Sequence, residues 1–404
     1  MSRLKLKQII FPLLLVLYEI STYLSNDMYL PALPDMMRDL HITTQQVQLT
    51  LMIWFAGLAC TPLIFGALSD RFGRRPVLLL GGLVYVIASA ACALATDFTF
   101  LLWVRFIQGC AIPTMMVAGY ASIHELYDHK EAINILALMS AITILAPAFG
   151  PLLGAIILYV ANWRDIFWVI TIWSSLTLIF LFYYMPETHA PALRHPIQLP
   201  VLFKSYWRVI TNKAYMLQMC ILGCLFGGFI VWISSGSLLV MESFHFTAME
   251  YGLFQIFVFA FYFIGNLLVD PLMDTLGIDL LIRLGLSIGM LGAIFMSVFA
   301  VLFPQNIYPY ILALSFFSFG TALCFAPLNR MIIEASDEPM GIRVAFFTVF
   351  LMLALAIVSY IGAHIYNGTI LSVALITTLS MLTACLLKRF TPKSPPQDEM
   401  EAIS

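Results

Sequence analysis

Charge is what this 404-residue chain has least of: Lys, Arg, Asp and Glu make up 10% of it, against about 25% in ordinary soluble domains. Hydrophobic residues make up 61%, which excludes a soluble globular domain and leaves a polytopic membrane protein. The net charge is −2 and no basic patch points to nucleic acid. The cysteines Cys60, Cys92, Cys110, Cys220, Cys224, Cys324 and Cys385 all lie in apolar runs, and none forms a C-x-x-C pair. Such residues behave as small hydrophobes, so no redox or metal role is expected. There is no H-E-x-x-H, no glycine-rich phosphate loop, no Ser/His/Asp arrangement and no ATP-binding domain. An enzyme is not expected, nor a cofactor.

What is present is a series of long apolar runs. Crossing a bilayer takes about 20 apolar residues at about 1.5 Å rise each. Twelve candidate spans meet that need: 8–30, 46–68, 76–95, 99–122, 132–160, 163–185, 214–240, 249–269, 280–302, 307–329, 343–366 and 369–387. The first follows three basic residues, like a signal peptide. It is too long for one, holds acids and lacks a small-residue cleavage site, so it reads as a retained helix.

Orientation follows from the basic residues. Arg3, Lys5, Lys7, Arg71, Arg74, Arg75, Lys130, Arg194, Lys204, Arg208, Lys213, Arg283, Arg330, Arg343, Lys388, Arg389 and Lys393 fall on one side, and Arg38 and Arg164 on the other. Both termini are therefore predicted to be cytoplasmic, in a multi-pass protein of the inner membrane.

The longest inter-helix segment, 186–213, holds Pro186, Pro191, Pro196 and Pro200 and four basic residues. It reads as a cytoplasmic linker between six-helix bundles at 1–185 and 214–388, with a disordered tail at 389–404. Two parallel halves with a binding site between them are expected. An internal echo supports this: Asp70-Arg-Phe-Gly73 before the third span matches Asp274-Thr-Leu-Gly277 before the ninth.

The first span carries two carboxylates, Glu19 and Asp27. An acid near the bilayer midplane costs about 2.5–3.5 kcal/mol on insertion scales and is by default functional. Eight residues place them about 12 Å apart along a helix and about 80° around it, so both can face one cavity wall. Arg105, in the fourth span, lies between them in depth. One negative charge is left over. A buried carboxylate without a partner favours its protonated form, and a nearby guanidinium favours the ionised form. A site balanced between these effects accepts a proton or a cation, but not both. Asp27 is read as the proton carrier and Glu19 as a cation-affinity residue, with Arg105 tuning both. The alternative is a structural Asp27–Arg105 pair.

Three further motifs carry a resemblance. Gly66-Ala-Leu-Ser-Asp70-Arg71-Phe-Gly73-Arg74-Arg75 lies between the second and third spans, Arg105-Phe-Ile-Gln108-Gly109 in the fourth, and Ala146-Pro147-Ala-Phe-Gly150-Pro151-Leu-Leu-Gly154 in the fifth. Asp70 can pair with a neighbouring Arg, Gly73 permits unusual backbone angles, prolines kink a helix, and glycines four apart allow close helix approach. The first motif resembles the signature loop of the major facilitator superfamily, the second the R-x-x-Q-G signature of its proton-coupled drug exporters, and the third its G-P-x-x-G antiporter motif. The first span, Leu17-Tyr18-Glu19-Ile-Ser21-Thr22-Tyr23-Leu-Ser-Asn26-Asp27-Met28, with Gly119-Tyr120-Ala121 and Glu125, resembles the MdfA-type multidrug/proton antiporters.

The resemblance implies a twelve-helix all-α membrane fold and alternating access driven by the proton gradient. It implies that Glu19 and Asp27 engage protons and cationic drugs, and that Tyr23, Asn26, Gln108, Tyr120 and Pro147 line the substrate site. The loop residues Gly66, Asp70, Arg71, Gly73, Arg74 and Arg75 would lock one conformation through charge contacts between helices. Gly150, Pro151 and Gly154 would bend and seal the interface between halves. The expected partners are a lipophilic small molecule, protons and membrane lipids, and the expected state is a monomer. An exporter of a cell-made metabolite such as a siderophore, or a proton-coupled importer, would use the same machinery. His124 and Glu125 read as a membrane-edge pair, with gating as the alternative. Trp232, Tyr251, Phe254 and Phe350 read as packing residues before substrate contacts.

Overall fold

The computed structural model describes residues 3–193 and 199–391. The tail expected to be disordered lies outside the described residues beyond Thr391, as does the centre of the expected linker. Among the described residues there are helices and no strand. In the first half they are α1 (Arg3–Asp27), α2 (Leu33–Leu40), α3 (Thr44–Cys60), α4 (Pro62–Phe72), α5 (Arg74–Ala93), α6 (Phe98–Ala111), α7 (Tyr120–Leu126), α8 (His129–Val160) and α9 (Trp163–Tyr184). There follow α10 (Leu199–Thr211), α11 (Lys213–Leu238), α12 (Ala248–Leu267), α13 (Val269–Leu276), α14 (Ile278–Leu302), α15 (Ile307–Glu334), α16 (Met340–Ile365) and α17 (Ile370–Lys388).

Nine helical segments among the described residues are long and apolar enough to cross a membrane, and α3 with α4, bent by 43°, makes a tenth. By length alone α1 (25 residues) and α8 (32 residues) also suffice to cross a bilayer. Their starts are dictated locally. Thr43 and Gln46 form a capping box on α3, Asp97 caps α6, Asn162 and Asp165 close a box on α9, and Asn212 and Thr369 cap α11 and α17. Each side-chain acceptor satisfies an amide that the first helical turn leaves unpaired.

The chain forms two compact units, Met1–Val201 with Thr247–Leu253, and Leu202–Phe246 with Phe254–Ser404. In the first, α1 packs on α8 and α9, α3 on α6, and α5 on α6 and α9. Two hydrogen bonds tie α1 in place: Tyr85 donates to the Ser21 carbonyl (2.7 Å), fully buried, and Trp173, partly buried, to that of Leu17 (3.0 Å). At the edge of this unit Arg164 donates to Asp39 (2.5 Å) and to the Ala95 carbonyl (2.9 Å). The Arg164 hydrogen bond holds the Asp39 carboxyl below the usual carboxylate range.

In the second unit α14 and α15 approach at backbone distance through Gly285, Gly289, Gly292 and Gly320, a small-residue interface of the kind that holds helices together in lipid. The segment expected as a linker contributes a helix, α10, to this unit. Arg208 pairs with Glu338 (3.0 Å), and Asn212 donates to the Ala335 carbonyl (2.7 Å).

The sequence echo has a conformational counterpart. Gly73 opens α5 at φ 100°, ψ 160°, and Gly277 opens α14 at φ 75°, ψ 162°. A side chain is strained there, so both loops need glycine at the same place for the same reason.

Candidate functional site

The site is built on α1. Glu19, Tyr23 and Asp27 stand at four-residue intervals on this helix, a stripe one turn apart. The hydroxyls of Ser21, Thr22 and Ser25 turn back onto the carbonyls of Tyr18, Glu19 and Thr22 at 2.6–2.7 Å. This satisfies them in a buried position and favours bending of the helix.

Glu19 is fully buried. Its Oε1 accepts a 2.6 Å hydrogen bond from Tyr120, and its Oε2 has no partner. The fourth span positions that tyrosine. Pro113 lies just beyond α6, and Met115–Gly119 form a π-helical turn before α7 begins at Tyr120. The extra residue in a π turn changes which face the following side chains present. Gly81 leaves room for Thr114, and Gly119 receives Leu15 of α1, 2.9 Å from where a Cβ would lie. The fourth span is thereby brought against α1, where Tyr120 reaches Glu19.

Asp27 ends α1 and is 3% exposed. Its Oδ1 accepts from Asn26 Nδ2 at 3.2 Å. The helix end lies in a notch in α8. A Cβ at Gly150 would come within 2.6 Å of Asp27 Cβ, and one at Gly154 would collide with the Met28 carbonyl oxygen. The glycines expected to bend and seal an interface between halves thus seat Asp27 within the first unit. Pro147 and Pro151 lie inside the same helix, each leaving the carbonyl four residues earlier without its helical donor.

Arg105 is fully buried. It donates from Nη1 to the Ser25 carbonyl (3.0 Å) and to Gln108 Oε1 (2.7 Å). Its guanidinium lies 4.3 Å from the Tyr29 ring, 5.8 Å from Phe167 and 6.0 Å from Trp54. A desolvated cation over an aromatic face gains about 2 kcal/mol. Among the described residues no ion pair joins Arg105 to Glu19 or Asp27, so the structural Asp27–Arg105 pair weighed above is not formed. Nη2 has no hydrogen-bond partner. Carbonyls and π faces solvate the charge in place of a carboxylate.

Of the expected substrate-site residues, Tyr120 touches Glu19 and Asn26 touches Asp27. Tyr23 and Pro147 are half-buried. Gln108 touches Arg105. Its Oε1 accepts from Arg105 and its Nε2 donates to Ser89 (2.8 Å), so both ends of the amide are engaged. These two bonds hold the amide against the guanidinium. In the second unit Trp232 is fully buried and donates to Gln255 (2.5 Å).

The loop after the second span forms a charge network around Arg74. That guanidinium donates to Asp70 (2.6 Å), Ser69 (3.0 Å) and Glu125 (3.0 and 3.1 Å). The Arg74 amide donates to Glu187 (2.9 Å), and Thr188 donates to Glu125. Arg75 donates to the Phe182 carbonyl (2.6 Å) and Arg71 lies over Phe72. Gly66 has open space where a Cβ would be, so packing does not demand glycine there. Glu125, read from sequence as a membrane-edge acid, is the far anchor of this network. No local signal linked it or Glu187 to Arg74, from which they are 51 and 113 residues distant. We expect Arg74→Ala to cost about 1–2 kcal/mol, because it removes the charge-assisted hydrogen bonds of a buried guanidinium and leaves Glu125, the least exposed of its carboxylates, without that partner. Thermal unfolding in detergent checks this: Arg74→Ala with Glu125→Gln should be more stable than Arg74→Ala alone, and additive losses would contradict the coupling.

The family model described as Major Facilitator Superfamily matches residues 15–339. The chain belongs to the Major Facilitator Superfamily. It is a transporter and not an enzyme. It is 30% identical over 341 residues to the multidrug transporter MdfA of Yersinia pestis bv. Antiqua (strain Angola), covering 84% of this chain and 83% of that protein. It is 31% identical over 372 residues to the multidrug transporter MdfA of Escherichia coli O6:H1, covering 91% and 90%. The superfamily fold is evident in a crystal structure of a POT family transporter in complex with 5-aminolevulinic acid. That structure has a TM-score of 0.75 at 13% identity and covers 95% of this chain and 96% of that one.

Proposed function

We propose that the protein is a proton-coupled antiporter that exports lipophilic, often cationic drugs across the inner membrane by alternating access, as a monomer with both termini in the cytoplasm. The observation that carries this reading is the pair of buried carboxylates on one helix, with Arg105 buried in the same unit and paired to neither. Glu19 keeps one oxygen without a partner, and Asp27 receives a single long hydrogen bond. Charges held in this way exchange a proton or a cation at low cost, whereas a closed ion pair resists both. Similarity to multidrug transporters supplies the substrate class. Within the reading, Asp27 carries the proton, Glu19 attracts cationic substrates, Arg105 biases both, and Tyr23, Asn26, Tyr120 and Pro147 border the substrate. The Arg74–Asp70–Glu125 network stabilises one state of the cycle.

Reconstituted vesicles with an acidic lumen test the proposal. Tetraphenylphosphonium should accumulate inside, up to about tenfold per pH unit for one proton exchanged, and a protonophore should abolish the accumulation. Substrate movement in the same direction as the protons would make the protein an importer and overturn the reading. Accumulation of endogenous metabolites but of no drug would replace the substrate class.

A further inference from the structure

The most distinctive feature outside the α1 site is a cavity of about 420 Å³ in the second unit. It lies between the first turns of α14 and the end of α17. Asp279, Arg283, Lys388 and Arg389 line its mouth, and Leu286 and Cys385 belong to its apolar part. Lys388 is neutralised by Asp279 at 3.0 Å. The guanidinium groups of Arg283 and Arg389 have no hydrogen-bond or ion-pair partner among the described residues. Two positive charges therefore face a common space with no counter-charge paired to them among the described residues.

The fold does not require this arrangement. Gly73 and Gly277 open α5 and α14 with the same backbone geometry. The same offset of 204 residues sets Arg75 against Asp279 and Leu79 against Arg283. In the first unit α5 packs on α9 as α14 packs on α17. There Arg75 is turned onto the Phe182 carbonyl and ring, and the position of the free arginine is a leucine. One helix pair closes over its cation. The other holds two arginines open beside a cavity.

We propose that this pocket binds the phosphate headgroup of an anionic phospholipid. A phosphate diester supplies the missing negative charge and accepts the forked N–H donors of two guanidinium groups. The rest of the ligand is specified by what surrounds the charges. Leu379, Leu382 and Leu386 form an exposed apolar ridge at helical spacing along α17, leading from the pocket into the span. A headgroup held by Arg283 and Arg389 directs its acyl chains along this ridge. Free phosphate matches the charges and leaves the ridge uncovered. Basic pockets between helices at the membrane surface are general sites for such lipids.

The test uses the full-length protein in detergent, with lipid adducts counted by native mass spectrometry. Phosphatidylglycerol should be retained about 10- to 30-fold more tightly than phosphatidylcholine. In Arg283→Gln/Arg389→Gln the preference should vanish, while Arg283→Lys/Arg389→Lys should keep part of it. Both arginines are exposed, so the variants should fold. Arg330→Gln, an exposed charge on the same unit already paired with Glu334, should change nothing. An undiminished preference in the double glutamine variant, or an equal loss in Arg330→Gln, overturns the site. Complete displacement of phosphatidylglycerol by millimolar inorganic phosphate overturns the lipid as its occupant.

Discussion

Asp27→Asn is expected to abolish the proton release that follows addition of substrate to the detergent-solubilised protein, while leaving the fold intact. Asn has nearly the shape of Asp, and Asp27 makes one 3.2 Å hydrogen bond, to Asn26. Its seat is shaped by backbone: a Cβ placed on Gly150 of α8 would lie 2.6 Å from Asp27 Cβ and 3.3 and 3.4 Å from main-chain atoms of Asp27 and Met28. None of these contacts needs a charged carboxyl. What the substitution removes is the titrating group. Glu19→Gln is expected to act differently. The amide oxygen can still accept from Tyr120, so the packing survives, and the loss falls on cationic substrates. That loss should be about tenfold in affinity, the order of one desolvated charge interaction at moderate distance. Neutral substrates should bind almost unchanged. Measuring proton release with a dye in weakly buffered detergent, for each variant and for one cationic and one neutral drug, separates the roles. Release from Asp27→Asn equal to that of the wild type would remove Asp27 from the coupling scheme.

Gly154→Val should prevent recovery of folded protein. The new Cβ would be driven into the Met28 carbonyl oxygen, and its other neighbours are the Met28 carbonyl carbon at 2.8 Å and Pro31 at 3.1 Å. Main-chain atoms cannot rotate aside as a side chain can. The segment that follows α1 is further held by its 3₁₀ turn at Leu30–Ala32, where Leu30, Pro31 and Ala32 are all buried. The two elements must separate, at a cost of about 3 kcal/mol or more. Gly150→Ala is gentler. Its nearest neighbour, at 2.6 Å, is the Cβ of Asp27, so the displacement falls on the proposed proton carrier. We expect that variant to be recovered with a lower thermal midpoint and with reduced proton release. Size-exclusion profiles and thermal unfolding in detergent provide the check. A Gly154→Val protein as stable as wild type would mean that α1 and α8 do not approach at backbone distance.

The two motifs most legible in the sequence acquired different structural meanings. The glycines of α8 were readable as a close-packing motif from their spacing alone. That they pack on Asp27 and Met28 was not readable, because nothing in residues 146–154 encodes which helix lies opposite. The Arg105–Gln108 pair was readable as unusual from its depth. Its aromatic surroundings were not: Tyr29, Trp54 and Phe167 come from three other segments, and each is unremarked in a chain with 32 Phe, 17 Tyr and 7 Trp. The fourth span read as one uninterrupted helix, and only the π turn at Met115–Gly119 explains how Tyr120 comes to face Glu19.

The division has a physical cause. A bilayer imposes its demands locally. Each span must be apolar over about 20 residues, satisfy its own backbone and carry its basic residues at the ends. Those demands are written in consecutive residues, so composition and hydrophobic runs were enough for the membrane class and the helical fold. They also marked Glu19, Asp27 and Arg105 as residues a lipid-facing helix would not keep. Packing between helices obeys no local rule. The separation of Arg105 from both carboxylates, the reach of Arg74 to Glu125, and the open pocket beside Arg283 each depend on side chains that meet only once the bundle is assembled.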